Sequence, residues 1–302
     1  MINIYIIVLT YNGNKETHQC LESLSGLKAS GFEYHTVVVD NNSKDAFKLT
    51  EQEQRQGIKL ITNNKNSGFS GGNNRGIDYS LSRGADYILL LNNDTYVDKG
   101  FLEQLLSLAK YKNAGLVCPK IYFAKGFEFH KNRYAKKDLG KVIWYAGGYI
   151  DWDNVFSVHR GLDEIDEKQF EKSEPIDFAT GCAMLVKRDV FEKVGKLDND
   201  YFLYYEDADF SVRVKRGGFK MYYCPKALVF HKNSAASGSG SNLHDYYLTR
   251  NQMHFGVMYA PFKTKIALVR QSLKLLFTGR KWQRKGIIDY YRGNFGKGSF
   301  KI

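Results

Sequence analysis

Three carboxylates fall within four residues at Glu206, Asp207 and Asp209, after a run of aromatic residues and before a helical pattern. Partial burial among aromatic rings would raise the pKa of a carboxyl group, which makes its carboxylate a better general base. Acidic residues also stabilise the start of a helix, and Asp209 is spaced for an ion pair with Arg213. We predict a catalytic base in this segment, with helix stabilisation as the alternative role of these acids.

Three more polar clusters come earlier in the chain, and each directly follows a predicted strand. Ligands of parallel α/β sheets bind at the carboxyl ends of the strands. The clusters therefore predict one ligand site assembled from several strand ends, upstream of the candidate base. They are Thr10-Tyr11-Asn12-Gly13, Asp40-Asn41-Asn42-Ser43 and Asn92-Asn93-Asp94-Thr95.

Asp40 follows the apolar run Val37–Val39. A carboxylate at this strand end can accept hydrogen bonds from the N–H groups of a nucleobase or from ribose hydroxyls, and Asn42 adds another polar group. The same residues also suit a turn followed by a helix N-cap. Both interpretations of this cluster stay open.

The segment Asn66–Gly76 is rich in glycine and precedes a predicted helix. Free backbone N–H groups at a helix start suit a phosphate, and Arg75 would add positive charge. The match to G-x-G-x-x-G is poor, and the segment follows the third predicted strand, which disfavours a Rossmann dinucleotide site. The alternative is a glycine-rich helix start that binds no ligand.

Asn92, Asn93 and Asp94 end the most hydrophobic predicted strand. A carboxylate there can hold a hard divalent ion that also binds phosphates, and such an ion offsets the charge of a leaving diphosphate. The alternative is a loop aspartate that caps the next helix. His231 also ends a predicted strand, and it is compatible with a structural role or with a role as a ligand.

The elements that must position these residues follow from the spacing of apolar side chains, which alternates between the strand and helix periods. This alternation predicts an α/β fold with a mainly parallel central sheet flanked by helices. Strands are predicted at 4–9, 36–39, 58–61, 87–91, 114–118, 144–150, 219–224 and 227–230, an apolar segment at 179–186, helices at 17–27, 71–83, 101–110 and 206–216, and a mobile Ser/Gly-rich loop at 234–241.

The length of 302 residues and the 43% hydrophobic content allow one large domain or two small ones. The four cysteines are far apart, without zinc-site spacing, which indicates reduced thiols in a cytosolic protein. No basic region precedes the first apolar run, and no apolar stretch reaches about 18 residues. We therefore expect neither a signal peptide nor a membrane span.

The last fifty residues carry much of the charge. From Gln252 to Ile302 there are eleven Lys or Arg and one acid, a net charge of +10 out of +12 for the chain. The remainder is nearly neutral, which argues against a nucleic-acid partner, and the tail predicts an anionic membrane surface as its partner. The alternative is that its amphipathic helix packs on the catalytic part. The predicted apolar face is Phe262, Ile266, Val269, Leu273, Leu276 and Phe277, and the predicted lipid-facing cations are Lys263, Arg270, Lys274, Arg280, Lys281, Arg284 and Lys285.

The order of the motifs resembles family 2 glycosyltransferases of the GT-A fold, and in particular bacterial rhamnosyltransferase-like members that build surface polysaccharides. The resemblance covers about residues 1 to 255, and no single motif carries it alone. The matching stretches are 7–12, 38–43, 66–76, 91–95, 180–185, 202–209, 225–227 with His231, and 250–251.

The resemblance implies a role for each matched residue. Asp207 would be the base, with Glu206 as its neighbour or as an acceptor contact. Asp94 and His231 would hold Mg²⁺ or Mn²⁺, at a site where Asn92 replaces the first acid of the Asp-X-Asp motif, which weakens the expected metal binding. The residues implied to bind the donor are Thr10, Tyr11, Asn12, Asp40, Asn42, Asn66, Gly68, Asn73, Arg75, Asn92 and Asn93.

The implied activity is that of a metal-dependent inverting hexosyltransferase that moves a sugar, with rhamnose as one candidate, from a dTDP- or UDP-linked donor to a saccharide or lipid-linked saccharide. The alternative is a non-catalytic nucleotide- or carbohydrate-binding module of the same fold. We expect a nucleotide-sugar-binding half at 1–118, an acceptor-binding and catalytic half at 119–251 and a basic helical tail at 252–302. The expected location is the cytoplasm, peripheral on the inner face of the membrane.

Overall fold

The computed structural model describes residues 1–233 and 241–301, so the predicted loop at 234–241 lies, except for Ser241, outside the described residues. Within these ranges a mixed sheet of nine strands forms the centre of the protein, and helices flank it. Along the main path of this sheet the strands follow one another in the order Lys59–Thr62, Phe32–Asp40, Ile2–Thr10, Tyr87–Asn92, Ala183–Lys187, Leu116–Phe123, Met221–His231 and Thr95–Val97.

The first half of the sheet is parallel, as the alternating pattern predicts. Its apolar side chains are almost all inaccessible to solvent, because helices cover both faces. The strands are β1 (Ile2–Thr10), β2 (Phe32–Asp40), β3 (Lys59–Thr62) and β4 (Tyr87–Asn92), and the helices are α1 (Asn14–Ser25), α2 (Glu51–Arg55), α3 (Gly68–Ser82) and α4 (Phe101–Lys112).

The second half mixes strand directions. β10 (Ala183–Lys187) runs antiparallel between β4 and β6 (Leu116–Phe123), and β11 (Met221–His231) lies parallel to β6. The region predicted as two strands at 219–230 forms the single strand β11, with a bulge after Cys224 next to Pro225, which has no N–H to donate. At the edge, β5 (Thr95–Val97) pairs antiparallel with β11.

One predicted strand is divided. Residues 144–150 form β7 (Ile143–Tyr145) and β8 (Gly148–Asp151), because Gly147 has a φ of 95° and turns the chain between them. β7 pairs with β6, whereas β8 forms a separate hairpin with β9 (Phe156–His159).

The remaining helices are α5 (Arg188–Val194), α6 (Glu206–Arg216), α7 (Asn242–Tyr259), α8 (Phe262–Thr278) and α9 (Lys281–Tyr291). The predicted boundary at residue 118 falls within β6, and the one at residue 251 falls within α7. No helix of the described residues is long and apolar enough to span a bilayer.

Helix α8 buries one side and exposes the other. It packs through Thr264, Leu268 and Ser272, whereas most of the predicted apolar stripe faces solvent. One predicted member of the apolar face, Leu276, is wrong, and one predicted cation, Arg280, forms an ion pair within the protein while 65% of its side chain stays exposed. Leu276 is half-buried against the core, and the Arg280 guanidinium binds the buried carboxylate of Asp245. The exposed stripe is Phe262, Ile266, Val269, Leu273 and Phe277.

Candidate active site

The strand register places the predicted polar clusters at one edge of the sheet. Thr10 lies opposite Asp40 in the β1–β2 ladder, and Asp40 lies opposite Thr62 in the β2–β3 ladder. On the other side of β1, Leu9 lies opposite Asn92. The carboxyl ends of four strands therefore border a single cleft.

At the end of β1, three predicted contacts have different surroundings. Thr10 is fully buried and its hydroxyl accepts a hydrogen bond from Thr17 at 2.8 Å. Tyr11 is exposed, and Asn12 has a φ of 55° and bonds the loop after β2 through Ser43 and Lys44. Tyr11 and Asn12 are therefore the exposed residues of this group, whereas Thr10 is closed to a ligand.

Asp40 is completely buried, and both of its carboxylate oxygens accept hydrogen bonds. The donors are the backbone N–H groups of Ser43 and Phe47, each at 3.0 Å. Asp40 thus orders the loop after β2, in which Asn42 has a φ of 66°. The contact of Asp40 with a nucleoside stays a prediction. The two hydrogen bonds give its carboxylate a structural function.

The neighbouring Asn41 belongs to a predicted polar cluster but was given no role of its own, and it joins β2 to the start of α3. Its amide group donates to Asn66 Oδ1 at 3.0 Å and to the Gly68 carbonyl at 2.9 Å, and its oxygen accepts from Asn63 and from the Ser67 N–H. One amide side chain can satisfy both donors and acceptors of an irregular loop. The asparagines at this edge therefore hold the loops in place.

The glycine-rich segment begins α3. Gly68 has a φ of 74°, and a Cβ at this position would lie 2.3 Å from the Phe202 carbonyl oxygen, so only glycine fits. Asn73 is buried and donates to the Phe69 carbonyl of its own helix, whereas Arg75 is exposed and lines a polar pocket of about 400 Å³. Among the residues predicted to contact phosphate, Arg75 carries a positive charge and is exposed to solvent.

The turn after β4 places two predicted metal ligands side by side. The β5–β11 ladder sets His231 opposite Thr95, and His231 Nε2 lies 3.1 Å from Asp94 Oδ1. Neighbouring ligands of an octahedral Mg²⁺ or Mn²⁺ ion are about 3 Å apart, given metal–oxygen distances near 2.1 Å. The pair therefore fits a divalent ion, while the Asn93 amide points away and donates to Thr17 Oγ1 at 3.0 Å.

A second group of possible metal ligands was missed by the sequence analysis. Ligand atoms of Asp198, Asp200 and His254 lie within 4.8 Å of one another. Asp198 and Asp200 precede α6 in the chain, and His254 is on α7, where its ring packs against Tyr201 and Phe295.

Asp207 is half-buried at the start of α6. Its carboxylate oxygens accept hydrogen bonds from the Gly181 N–H at 3.0 Å and from the Ala208 N–H at 2.8 Å. Desolvation raises the pKa of Asp207 to about 6, although the two N–H groups favour the charged form. Gly181 follows the matched Thr180, and its positioning function became visible only in the structure.

Glu206, the residue before Asp207, is buried. Its Oε2 has no hydrogen-bond partner among the described residues. Burial, together with the nearby Asp207 charge, raises the pKa of Glu206 well above its ordinary value and so favours its neutral form. Asp209 accepts hydrogen bonds from Arg213 and from the Tyr259 hydroxyl, which confirms the expected ion pair.

Comparison with known proteins gives a family. The family model described as glycosyl transferase family 2 matches residues 5–195. A low-salt glycan biosynthesis hexosyltransferase, Agl10, of Haloferax volcanii is 25% identical over 247 residues, covering 82% of this chain and 72% of its own length.

Two further relatives carry rhamnosyltransferase names. The N-acetylglucosaminyl-diphospho-decaprenol L-rhamnosyltransferase of Mycobacterium tuberculosis is 24% identical over 275 residues, covering 85% of this chain and 87% of its own. The dTDP-rhamnosyl transferase RfbF of Shigella flexneri is 25% identical over 259 residues, covering 82% and 78%. These names agree with the rhamnosyltransferase-like resemblance of the sequence.

Among solved structures, the crystal structure of GalNAc-T7 with UDP, GalNAc and Mn²⁺ is similar, with a TM-score of 0.64 at 14% identity. The match covers 96% of this chain and 55% of that chain, so the protein spans about half the length of GalNAc-T7. At this identity the likeness shows the fold alone, and it confirms the expected GT-A arrangement.

The site predicts an unusual titration of Asp207. Its carboxyl group should lose its proton near pH 6, about two units above an ordinary aspartate, because desolvation penalises the charged form. The measurement is a ¹³C NMR titration of labelled aspartate carboxyl carbons, with the resonance assigned by its loss in Asp207→Asn.

A matched variant separates the two carboxyl groups. Because burial favours the neutral form of Glu206, a neutral Gln in its place should leave the Asp207 midpoint nearly unchanged. A midpoint near pH 4 in the native protein would contradict the desolvated setting of Asp207. A large fall in Glu206→Gln would instead show that Glu206 carries charge.

Proposed function

The chain belongs to glycosyl transferase family 2, and on that premise we propose that it is a metal-dependent, inverting glycosyltransferase with Asp207 as its general base. The observation that carries the proposal is the setting of the Asp207 carboxylate. This carboxylate is oriented by the Gly181 N–H, belongs to a half-buried residue, and has a pKa of about 6, so it is ionised and still basic at pH 7.

The reaction is a single displacement. Asp207 accepts the proton of an acceptor hydroxyl while that oxygen forms a bond to the anomeric carbon of the donor sugar. The bond between this carbon and the diphosphate oxygen breaks on the opposite side, and the nucleoside diphosphate leaves with the electron pair. One displacement inverts the anomeric configuration, and a single base is sufficient for it.

Asp94 and His231, with Asn92 beside them, are the residues proposed to hold Mg²⁺ or Mn²⁺. When bound, such an ion would neutralise charge on the leaving diphosphate. Arg75 would add a positive charge that also stabilises the leaving diphosphate. Asn92 contributes an amide where a carboxylate would bind more strongly, so we expect weak metal affinity in the absence of the diphosphate.

The proposed donor is dTDP-L-rhamnose, and the proposed acceptor is a saccharide on a lipid diphosphate. The names of the Mycobacterium and Shigella relatives support this choice, although the identities of 24% and 25% leave the donor pocket free to differ. A non-catalytic binding module is the alternative, and Asn92 is the residue that favours it. Turnover of dTDP-L-rhamnose with N-acetylglucosaminyl-diphospho-decaprenol distinguishes the two functions.

The proposed partner of α8 is the anionic inner surface of the cell membrane, where the cytoplasmic enzyme would meet a lipid-linked acceptor. The support is the exposed apolar stripe, which includes Phe262 and Phe277 at 76% and 85% exposure. Lys263, Arg270 and Lys274 flank this stripe on the same helix. Apolar side chains that enter the head-group layer beside cations describe an interfacial helix.

Asp207→Asn should nearly abolish transfer while donor affinity stays the same. The base acts in the transition state, so kcat should fall by about 10² to 10⁴-fold with little change in donor binding. The measurement is steady-state turnover together with calorimetry of donor binding. If the variant keeps more than about a tenth of native turnover, Asp207 is not the base.

In native enzyme, kcat/KM should also fall as the pH drops through about 6, because the protonated carboxyl group cannot accept the acceptor proton.

Asp94→Ala should remove the metal dependence of nucleotide binding, whereas Asn92→Ala should reduce it only in part. A carboxylate contributes a full charge to the ion, while an amide contributes a dipole. The measurement is calorimetry of dTDP binding with and without Mn²⁺. Equal Mn²⁺ dependence in the native protein and Asp94→Ala would exclude Asp94 from the metal site.

Replacing both end phenylalanines of the stripe, Phe262→Ser with Phe277→Ser, should lower co-sedimentation with anionic vesicles at least about tenfold, because both rings would leave the apolar layer. The matched control is Tyr111→Ser, which changes an 81% exposed aromatic on α4. Binding should also fall as salt rises. Equal binding to neutral and anionic vesicles, or equal loss in the control, would contradict membrane docking through α8.

A further inference from the structure

The turn that precedes α6 has an unfavourable backbone. Phe202, Tyr204 and Tyr205 have φ values of 61°, 69° and 73°, which lie in the left-handed region that bulky side chains rarely adopt. Such residues persist only where the surrounding structure over-determines them. Because Glu206 and Asp207 come directly after this turn, its conformation sets where the proposed base lies.

The side chain of Asn251, on α7, holds this turn. Its amide nitrogen lies within hydrogen-bond distance of three carbonyl oxygens of the turn, namely Tyr201 at 2.8 Å, Leu203 at 2.9 Å and Tyr204 at 2.8 Å. Asn251 is fully buried, so water cannot replace these bonds. Without the amide, buried carbonyl groups of the turn would lose their donor.

Arg250 extends the same contact to the end of the chain. Its guanidinium is fully buried and donates through Nη2 to the carbonyls of Asp200 and Tyr201, both at 3.1 Å. Through Nη1 it donates to the Gly296 carbonyl at 2.7 Å, and its Nε donates to Asn251 Oδ1 at 2.9 Å. The planar fork therefore joins the catalytic turn, Asn251 and the segment after α9.

We infer that Arg250 and Asn251 are positioning residues for the catalytic carboxylate, and that the C-terminal helices are structural components of the active site. Neither side chain touches the reacting atoms. They act through the backbone of residues 200–204, which leads into α6. The inference rests on the proposed function in that Asp207 is taken as the base.

Asn251→Asp is the most suitable test variant. The side-chain volume is nearly unchanged, and the new carboxylate can still accept a hydrogen bond from the Arg250 Nε. The new oxygen cannot donate to the three carbonyls of the turn and repels them, so the turn should relax. We expect kcat for dTDP-L-rhamnose with N-acetylglucosaminyl-diphospho-decaprenol to fall about tenfold to a hundredfold, while the KM of the donor changes less than about threefold.

A second readout reports the position of the carboxylate without any turnover. In Asn251→Asp the ¹³C titration midpoint of Asp207 should fall from about 6 to below about 5, because a displaced carboxyl group gains water. Glu206, the neighbouring carboxyl group, is kept in both proteins. If the native enzyme does not use these substrates, the proposed donor or acceptor fails, but this titration still decides whether Asn251 positions Asp207.

Two more variants complete the experiment. Arg250→Lys keeps the positive charge but loses the planar fork of N–H donors. It should therefore lower kcat and the Asp207 titration midpoint in the same way, and it replaces Asn251→Asp as the test if that variant does not fold. Ser272→Ala removes a partly buried hydrogen bond between Ser272 on α8 and Tyr291 on α9, neither of which bonds the turn, and it should change neither quantity even where its melting temperature falls. Folded Asn251→Asp and Arg250→Lys proteins with native kcat and a native Asp207 midpoint would overturn the inference. So would an equal change in Ser272→Ala.

Discussion

The left-handed turn before α6 is the constraint on which the rest of the site depends. Three aromatic residues in this region of φ/ψ space cost of order 1–3 kcal/mol each, and the surrounding structure must offset that cost. The turn is held from two sides. Asn251 bonds its carbonyls from α7, and the Phe69 N–H at the start of α3 donates to the Phe202 carbonyl at 2.6 Å. The glycine at position 68 permits the second contact, so α3 and the turn before α6 share one backbone junction.

Asparagine side chains perform the same task elsewhere at this edge of the sheet. Asn41 joins β2 to the start of α3, and Asn74 joins α3 to the loop before α6 by bonding both backbone groups of Leu197. An amide offers donors and an acceptor without introducing charge, which suits loops that leave a sheet irregularly. The abundance of asparagine near the cleft therefore reflects loop geometry as much as ligand contact. Asp40 illustrates the same point, since its carboxylate already bonds two backbone N–H groups.

Charge is distributed between the two ends of the molecule with different physical consequences. At the start of α6, burial raises the pKa of both Glu206 and Asp207, and the Asp207 charge raises that of Glu206 further, so the neutral form is favoured more strongly at Glu206. In the tail, most cations remain in solvent beside the apolar stripe of α8. Arg280 differs because Asp245 on α7 binds it, and this contact fixes the start of α9 to α7. The C-terminal helices therefore pack on the catalytic part through one face and leave the basic, apolar face open.

The sequence by itself determined the elements whose signal is local. The apolar runs of β1, β2 and β4 and the helix at 206–216 follow from periodicity, and the strand ends had to share an edge because parallel strands do. Tertiary structure decided what depends on distant partners. β10 enters the sheet antiparallel, Leu276 turns to the core, and the guanidinium of Arg250 meets carbonyls about fifty residues away in sequence. Hydrogen bonds to backbone carbonyls produce no periodic pattern in the sequence, because every residue has the same carbonyl group. Which donor reaches a given carbonyl is determined by tertiary packing.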